Sequence, residues 1–278
     1  MTVIALHDRA RLRKFLARDR ILHAYALGDL DDFFWPRTVW YGGIDGECLR
    51  EVAFLYLGLQ PPTLLAHTSS TTTAMQAFLA ALAPFLPPVF HAHLSPGLAA
   101  ALVPTHTGQG HGLYRRLALR EPKRAHAALL QPPRCCRGSS ACHVARLDRS
   151  HGAALEELYA VSYRENWFDP RMLETGYYFG AWDAQRLVSV AGIHVLAPAE
   201  RVAALGNVTT HPDYRGRGLA TYTCAHLCVA LERVADAIAA NVRADNAPAL
   251  ACYRRLGFAE AVTYEEWTFR HQTAPPPA

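Results

Sequence analysis

Apolar positions along the chain recur at two spacings, and each spacing predicts an element. Near the N-terminus the spacing is helical over about residues 8–17, then again near 21–30. Three short runs rich in branched and aromatic residues follow, Thr38–Tyr41, Glu51–Leu57 and Thr63–His67, punctuated by Gly42-Gly43, Gly46 and Pro61-Pro62. They predict strands. Thr71–Phe85 predicts a buried helix opened by threonines that can cap it, followed by a strand at Val89–His93, a short helix at Pro96–Leu102 and a strand at Leu113–Leu119. A second series starts with a strand at His143–Leu147 and a helix at Gly152–Tyr159. Strands at Gly176–Ala181, Leu187–Leu196 and Arg201–Thr210 lead to a long helix at Gly218–Arg233. A strand at Ala237–Arg243, a helix at Asn246–Leu256 and a strand at Thr263–Arg270 complete it.

Between the two series the periodic pattern stops after Leu130, and Pro122, Pro132, Pro133 and Gly138 mark a linker. The expected organisation is therefore a domain over 1–120, a linker over 121–140, a domain over 141–272 and a flexible tail over 273–278. The element order is that of an α/β (α+β layered) fold.

Composition narrows the field. Of 278 residues, 51% are apolar and 19% charged, enough for two buried cores. The formal net charge of +4, with only Lys14 and Lys123 as lysines, suits an anionic small ligand. It falls well short of the Lys/Arg clustering of a nucleic-acid binder. The seven cysteines are odd in number and lack framework spacing, so reduced thiols and a cytoplasmic location are expected. Cys224 and Cys228 sit one helical turn apart without a second ligand pair, and Cys135, Cys136 and Cys142 with His143 make a poor tetrahedral clamp. No metal is expected. There is no signal-peptide pattern, and no apolar run approaches the roughly 20 residues of a membrane span.

The chemistry concentrates at Thr209-Thr210-His211-Pro212-Asp213-Tyr214-Arg215-Gly216-Arg217-Gly218-Leu219-Ala220. A strand ends at a proline, then two glycines lead straight into a helix. A helix start leaves N–H groups without partners and carries partial positive charge, and glycines let backbone approach a ligand closely. Such a turn suits a diphosphate. It lacks the Gly-Lys-Ser/Thr of a P-loop and the third glycine of a dinucleotide fold.

The string Arg215-x-x-Gly218-x-Ala220 resembles the acyl-CoA signature Gln/Arg-x-x-Gly-x-Gly/Ala of the GNAT superfamily of N-acyltransferases. Asn241–Phe258, with Asn246 opening a helix, Tyr253 seven residues on and a closing Leu256-Gly257-Phe258, resembles that superfamily's second motif. The resemblance spans about residues 141–270. Within it, Ala191–Val195 and Leu205–Thr210 are similar to a branch related to glycine N-acyltransferases. It implies two GNAT-like domains of tandem type, each a mixed, mostly antiparallel sheet flanked by helices. The N-terminal copy would be degenerate, because residues 1–120 have no Arg-x-x-Gly-x-Ala turn.

The resemblance also implies roles. Acetyl-CoA or another acyl-CoA would lie with its pantetheine arm along Val208, Thr209 and Thr210. Its diphosphate would meet Arg215, Gly216, Arg217, Gly218, Leu219 and Ala220, with Asn246 nearby. Tyr253 is the candidate general acid for the departing thiolate, against the alternative of an aromatic packed beside Phe258. The strand 203–210 carries no acid, so His194 is the candidate base, against the alternative of a hydrogen-bonded structural histidine. Asn207 and Glu165 are candidates for lining the acceptor pocket. The expected activity is transfer of an acetyl or other short acyl group to the amine of a small molecule, by a monomer or homodimer without nucleic-acid or membrane partners. A non-catalytic acyl-CoA sensor, or an acetyltransferase for protein N-termini or lysines, are the competing readings.

Overall fold

The computed structural model describes residues 1–69, 72–133 and 143–273. The chain forms two compact units. Unit 1 holds Met1–Arg116, Arg243–Asp245 and the chain from Ala261 on; unit 2 holds Leu117–Val242 and Asn246–Glu260.

Unit 1 contains β1 (Thr2–Ala5), α1 (Arg9–Leu16), α2 (Ala24–Gly28), β2 (Thr38–Asp45), β3 (Cys48–Tyr56), β4 (Thr63–Ala66), α3 (Thr72–Leu82), β5 (Val89–Leu94) and most of β6 (His106–Leu119). Asp8 starts α1, its side chain accepting from Arg11 N at 2.9 Å. Leu12, Phe15 and Leu16 face inward from that helix at helical spacing. In β5 the alternation splits the strand cleanly: Phe90, Ala92 and Leu94 join the core that α3 covers, while His91 and His93 take the other face.

Unit 2 contains α4 (Lys123–Leu129), β7 (His143–Arg146), α5 (Gly152–Ser162), β8 (Phe179–Asp183), β9 (Arg186–Ala197), β10 (Val202–Thr210), α6 (Leu219–Leu231), β11 (Ala237–Arg243) and α7 (Ala247–Arg255), and it starts β12 (Phe258–His271). Its strand order is β11-β10-β9-β8-β7, antiparallel throughout except for the parallel pair β10–β11. Unit 1 has the order β1-β2-β3-β4-β5-β12-β6, where β4–β5 is likewise parallel and joined through α3. A parallel pair needs a crossover, and both units use the same strand–helix–strand device. The fold is thus two layered α/β units with mixed, mostly antiparallel sheets.

β1 and the first half of β6 were not evident in the pattern. β1 is only four residues long and gains its order by pairing with Tyr41–Ile44 of β2. β6 begins at His106, seven residues before the predicted start, because its Gly108 and Gly110 lie under aromatic rings of β12. A Cβ on Gly108 would come within 2.7 Å of Phe269 Cε1, and one on Gly110 within 3.4 Å of Trp267. Glycine here makes room for rings instead of marking a loop.

The stretch expected to link the domains holds α4, whose Ala125 is fully buried in the unit 2 core. Cys135, Cys136 and Cys142 lie outside the described residues, as does the tail from 274. Cys224 and Cys228 belong to the buried face of α6 with Leu219, Thr223, Leu227 and Leu231. Among the described residues no group of three or more His, Cys, Asp or Glu is placed to hold a metal ion, and no helix is long and apolar enough to cross a membrane.

Candidate active site

β10 pairs with β11 from Val202–Ala237 to Leu205–Ala240 and no further, although both strands continue, to Thr210 and Arg243. The partners therefore part beyond Leu205. On its other side β10 breaks register with β9 between Ala204 and Leu205, and again between Gly206 and Thr209. At this second bulge Asn207 takes φ +54°, a left-handed backbone that asparagine tolerates better than most residues. In unit 1, β4 stays paired with β5 along its whole length, Thr63–Ala66 against His91–Leu94. Among the described residues the parallel pair of unit 2 opens such a gap and that of unit 1 does not.

Asn207 is 2% exposed and its side chain is fully committed. Its Oδ1 accepts from Trp167 N at 3.2 Å, which fixes the amide orientation. The Nδ2 donates to the Tyr178 hydroxyl at 2.9 Å. His194 Nε2 lies 3.0 Å from the same Oδ1, so that nitrogen carries the proton and Nδ1 carries the lone pair. Burial holds the His194 pKa below the ordinary imidazole value, partly offset by the Asn207 bond. The ring is therefore held in its neutral form. Tyr159 also holds the bulge, its hydroxyl donating to Asn207 O at 2.8 Å.

Beyond Thr210 the chain makes a single 3-10 turn at Pro212–Tyr214 and enters the glycines. Gly216 has φ +75° and Gly218 φ +82°, conformations that favour glycine, and Gly218 caps α6 without a side-chain bond. Tyr222 N donates to Gly218 O at 3.0 Å as α6 begins, and a helix start leaves its first N–H groups without intrahelical partners. Both arginines of the motif brace this turn. Arg215 Nε donates to Thr210 O at 3.2 Å; Arg217 donates to Asp213 O at 2.8 Å and lies 4.8 Å over the Tyr214 ring. Tyr214 in turn donates to Asp183 at 2.6 Å. A cleft of about 470 Å³ opens beside Gly218, lined among others by Arg124, Arg217, Tyr222 and Arg255.

The remaining predicted residues lie on β10, at the start of α6, on α7 and in the loop after α5. Val208 is half-buried; Thr209 is buried, with its carbonyl accepting from Ser189 Oγ at 3.0 Å, and Thr210 Oγ1 lies 2.8 Å from the same hydroxyl. Leu219 is buried under the start of α6 and Ala220 half-buried beside it. Asn246 caps α7, its Oδ1 accepting from Ala249 N at 3.1 Å. Tyr253 is 6% exposed and meets Phe258 edge-on at 5.3 Å. Glu165 is exposed in the loop after α5, next to Arg164 and Asn166, which line a second cleft of about 490 Å³ with Glu156, Tyr159 and Phe168. Tyr159, Tyr178, Arg124 and Arg255 were not singled out from sequence. The polar ends of the tyrosines acquire meaning only through a bulge that no local pattern announces.

Diverging strands, a bulge on the central one and a glycine turn onto a helix start lie together in unit 2. Residues 144–258 match the model of the acetyltransferase (GNAT) family, a stretch that contains the gap, the turn and α7. Over 125 residues the chain is 37% identical to the mycothiol acetyltransferase of Corynebacterium aurimucosum, covering 42% of this chain and 39% of that protein. The match thus spans well under half of the relative's length. A tandem GNAT protein from the clavulanic acid biosynthesis pathway superposes with TM-score 0.62 at 15% identity, covering 99% of each chain. A GNAT-family acetyltransferase from Colwellia psychrerythraea does so with TM-score 0.58 at 11% identity, covering 98% of this chain and 100% of that one. These likenesses show the fold, with a tandem arrangement of two such units.

Proposed function

We propose that unit 2 transfers an acetyl or other short acyl group from acyl-CoA to the amine of a small-molecule acceptor by direct attack. One observation carries this reading: the strand that parts from its neighbour after Leu205 is the strand that ends, at Thr210, in the glycine turn and the open start of α6. A gap for a thioester and a cradle for a diphosphate therefore lie along a single stretch of chain. The diphosphate would take the amides of 216–220, where the helix start favours negative charge, and the pantetheine arm would run along Val208–Thr210.

In the gap the amine nitrogen attacks the thioester carbon, giving a tetrahedral oxyanion that collapses with cleavage of the C–S bond. His194 Nδ1 would take the proton the nitrogen must lose, with Asn207 holding the ring in the required tautomer. Tyr253 would return a proton to the leaving sulfur. The likeness of Ala191–Val195 and Leu205–Thr210 to glycine N-acyltransferases, together with the match to a mycothiol acetyltransferase, favours a small acceptor over a protein.

Thiol release from acetyl-CoA in the presence of a panel of amines and amino acids tests the proposal. Turnover with at least one small amine is expected. Acetyl-CoA binding without thiol release from any acceptor, peptides included, would leave a sensor and remove the enzyme.

A further inference from the structure

Cys224, Cys228 and Cys252 meet where α6 packs against α7 in unit 2. Thr221, Cys224 and Cys228 are spaced by three and four residues, so they share one face of α6. From that face the Thr221 hydroxyl donates to Cys252 Sγ at 3.4 Å. The Cys224 thiol, one turn further along, donates to the same sulfur. Both α6 cysteines are fully buried, whereas Cys252 is half-buried on α7. All three are free thiols.

The two bonded sulfurs differ in chemistry. The Cys224 bond, with Thr221 and Arg255 adding to it, holds the Cys252 pKa below the usual thiol value against the opposing effect of burial. The same bond, and then burial, hold Cys224 well above that value. Arg254 and Arg255 stand in the last turn of α7, where positive charge offsets the negative end of the helix near Cys252. The thiolate is the nucleophilic form of cysteine, so Cys252 is the reactive member and Cys224 the thiol that resolves it.

We infer that Cys252 and Cys224 are a peroxide-oxidised pair, a reversible modification site whose disulfide ties α6 to α7. The Cys252 sulfur attacks one oxygen of hydrogen peroxide and the O–O bond breaks. The departing hydroxide takes a proton from solvent, to which the thiol had lost its own, and Cys252 is left as a sulfenic acid. The Cys224 sulfur then attacks the Cys252 sulfur, the S–S bond forms and the S–O bond breaks. The second hydroxide leaves as water with the Cys224 proton. Two thiols and one peroxide thus give one disulfide and two waters. None of these bonds involves acyl-CoA, so the pair oxidises whether or not unit 2 transfers acyl groups.

The test is peptide mapping by mass spectrometry of the full chain, treated with hydrogen peroxide and digested with trypsin without reduction. The peptide Gly218–Arg233 carries Cys224 and Cys228, and the peptide Ala244–Arg254 carries Cys252. The two are expected joined within a single chain, and separate again after dithiothreitol. Cys228→Ala should keep the link. Cys224→Ala should abolish it and leave Cys252 as a sulfenic acid that dimedone captures. Thr221→Val keeps the shape of the side chain, removes the hydroxyl donor and should slow linking by about threefold or more. Thermal melts check that each variant is folded, and the native digest depends on none of them. Absence of the joined peptides from the native digest would overturn the inference. A link that survives Cys224→Ala and disappears in Cys228→Ala, or that forms at the native rate in Thr221→Val, would also overturn it.

Discussion

At the scale of single residues the account turns on Asn207 and His194. Asparagine at φ +54° both permits the bulge and supplies the acceptor that orients the imidazole. Asn207→Gly keeps the backbone conformation and removes only the side chain, so its effect isolates the hydrogen bonds. A fall in kcat/KM of about 30-fold or more is expected, since His194, Trp167 N and the Tyr178 hydroxyl all lose a partner. Native-like turnover in that variant would reduce Asn207 to a backbone role. The base must be neutral to act, and burial lowers the His194 pKa, so the rate should hold as pH drops through 6.5 and decline only below it. His194→Gln should lower kcat by about 10²-fold or more and erase that acidic limb. A rate–pH profile unchanged in shape would assign the base elsewhere. Tyr253→Phe should reduce turnover far more than acyl-CoA affinity; equal loss of both would make Tyr253 a packing residue against Phe258.

Both members of the His194–Asn207 pair stood out in the sequence as polar residues on apolar strands, yet their partnership did not. It depends on a register break between β9 and β10, set by pairing across strands and invisible to a periodicity count.

At the scale of elements, the start of α6 was readable because its causes are local: a proline that ends a strand, then glycines at two positions of positive φ. Gly218→Ala forces a side chain into φ +82°, at a cost of about 1–2 kcal/mol. Nothing crowds the position beyond Pro133 at 3.9 Å, so the turn can reshape without unfolding the unit. Acyl-CoA affinity should fall about fivefold or more, with a small change in melting temperature. Titration calorimetry beside a thermal melt separates the two, and undiminished affinity would show that these amides do not bind the diphosphate. α4 and the first half of β6 were obscured for opposite reasons. α4 is short and bounded by prolines that resemble a linker, and β6 opens with alternate glycines whose partners lie in β12, more than 150 residues away.

For the molecule as a whole, the parallel strand–helix–strand device occurs twice among the described residues, and of these two the one in unit 2 opens. Unit 1 keeps β4 and β5 zipped and buries ionisable groups beside them instead. Arg116 is 0% exposed, donates to the Leu22 and Ile21 carbonyls and lies 5.0 Å over Tyr25 and 5.5 Å over Tyr264. Burial, and then the Arg116 charge, lower His67 well below its ordinary value, His93 to about 3 and His23 to about 4. Folded histidines that refuse protons make the unfolded chain the better proton binder below about pH 6.5. The histidines' contribution is therefore complete above that pH and is lost as pH falls toward 4, by about 1.4 kcal/mol per pH unit for each, set against buried Asp29, whose pKa burial raises to about 8 and whose single contribution runs the other way. Thermal melts between pH 7.5 and 4.5 should show this descent, and a flat melting temperature across the window would contradict it.

The central claim is that coenzyme A is gripped by the amides that open α6 and threads the space β10 leaves when it parts from β11. A crystal structure of the chain with CoA measures this most directly. The diphosphate is expected within hydrogen-bond reach of the amides of residues 216–220, with the pantetheine arm beside Val208–Thr210. Coenzyme bound instead against β4 in unit 1, or a glycine turn closed against its own helix with the ligand elsewhere, would contradict the account.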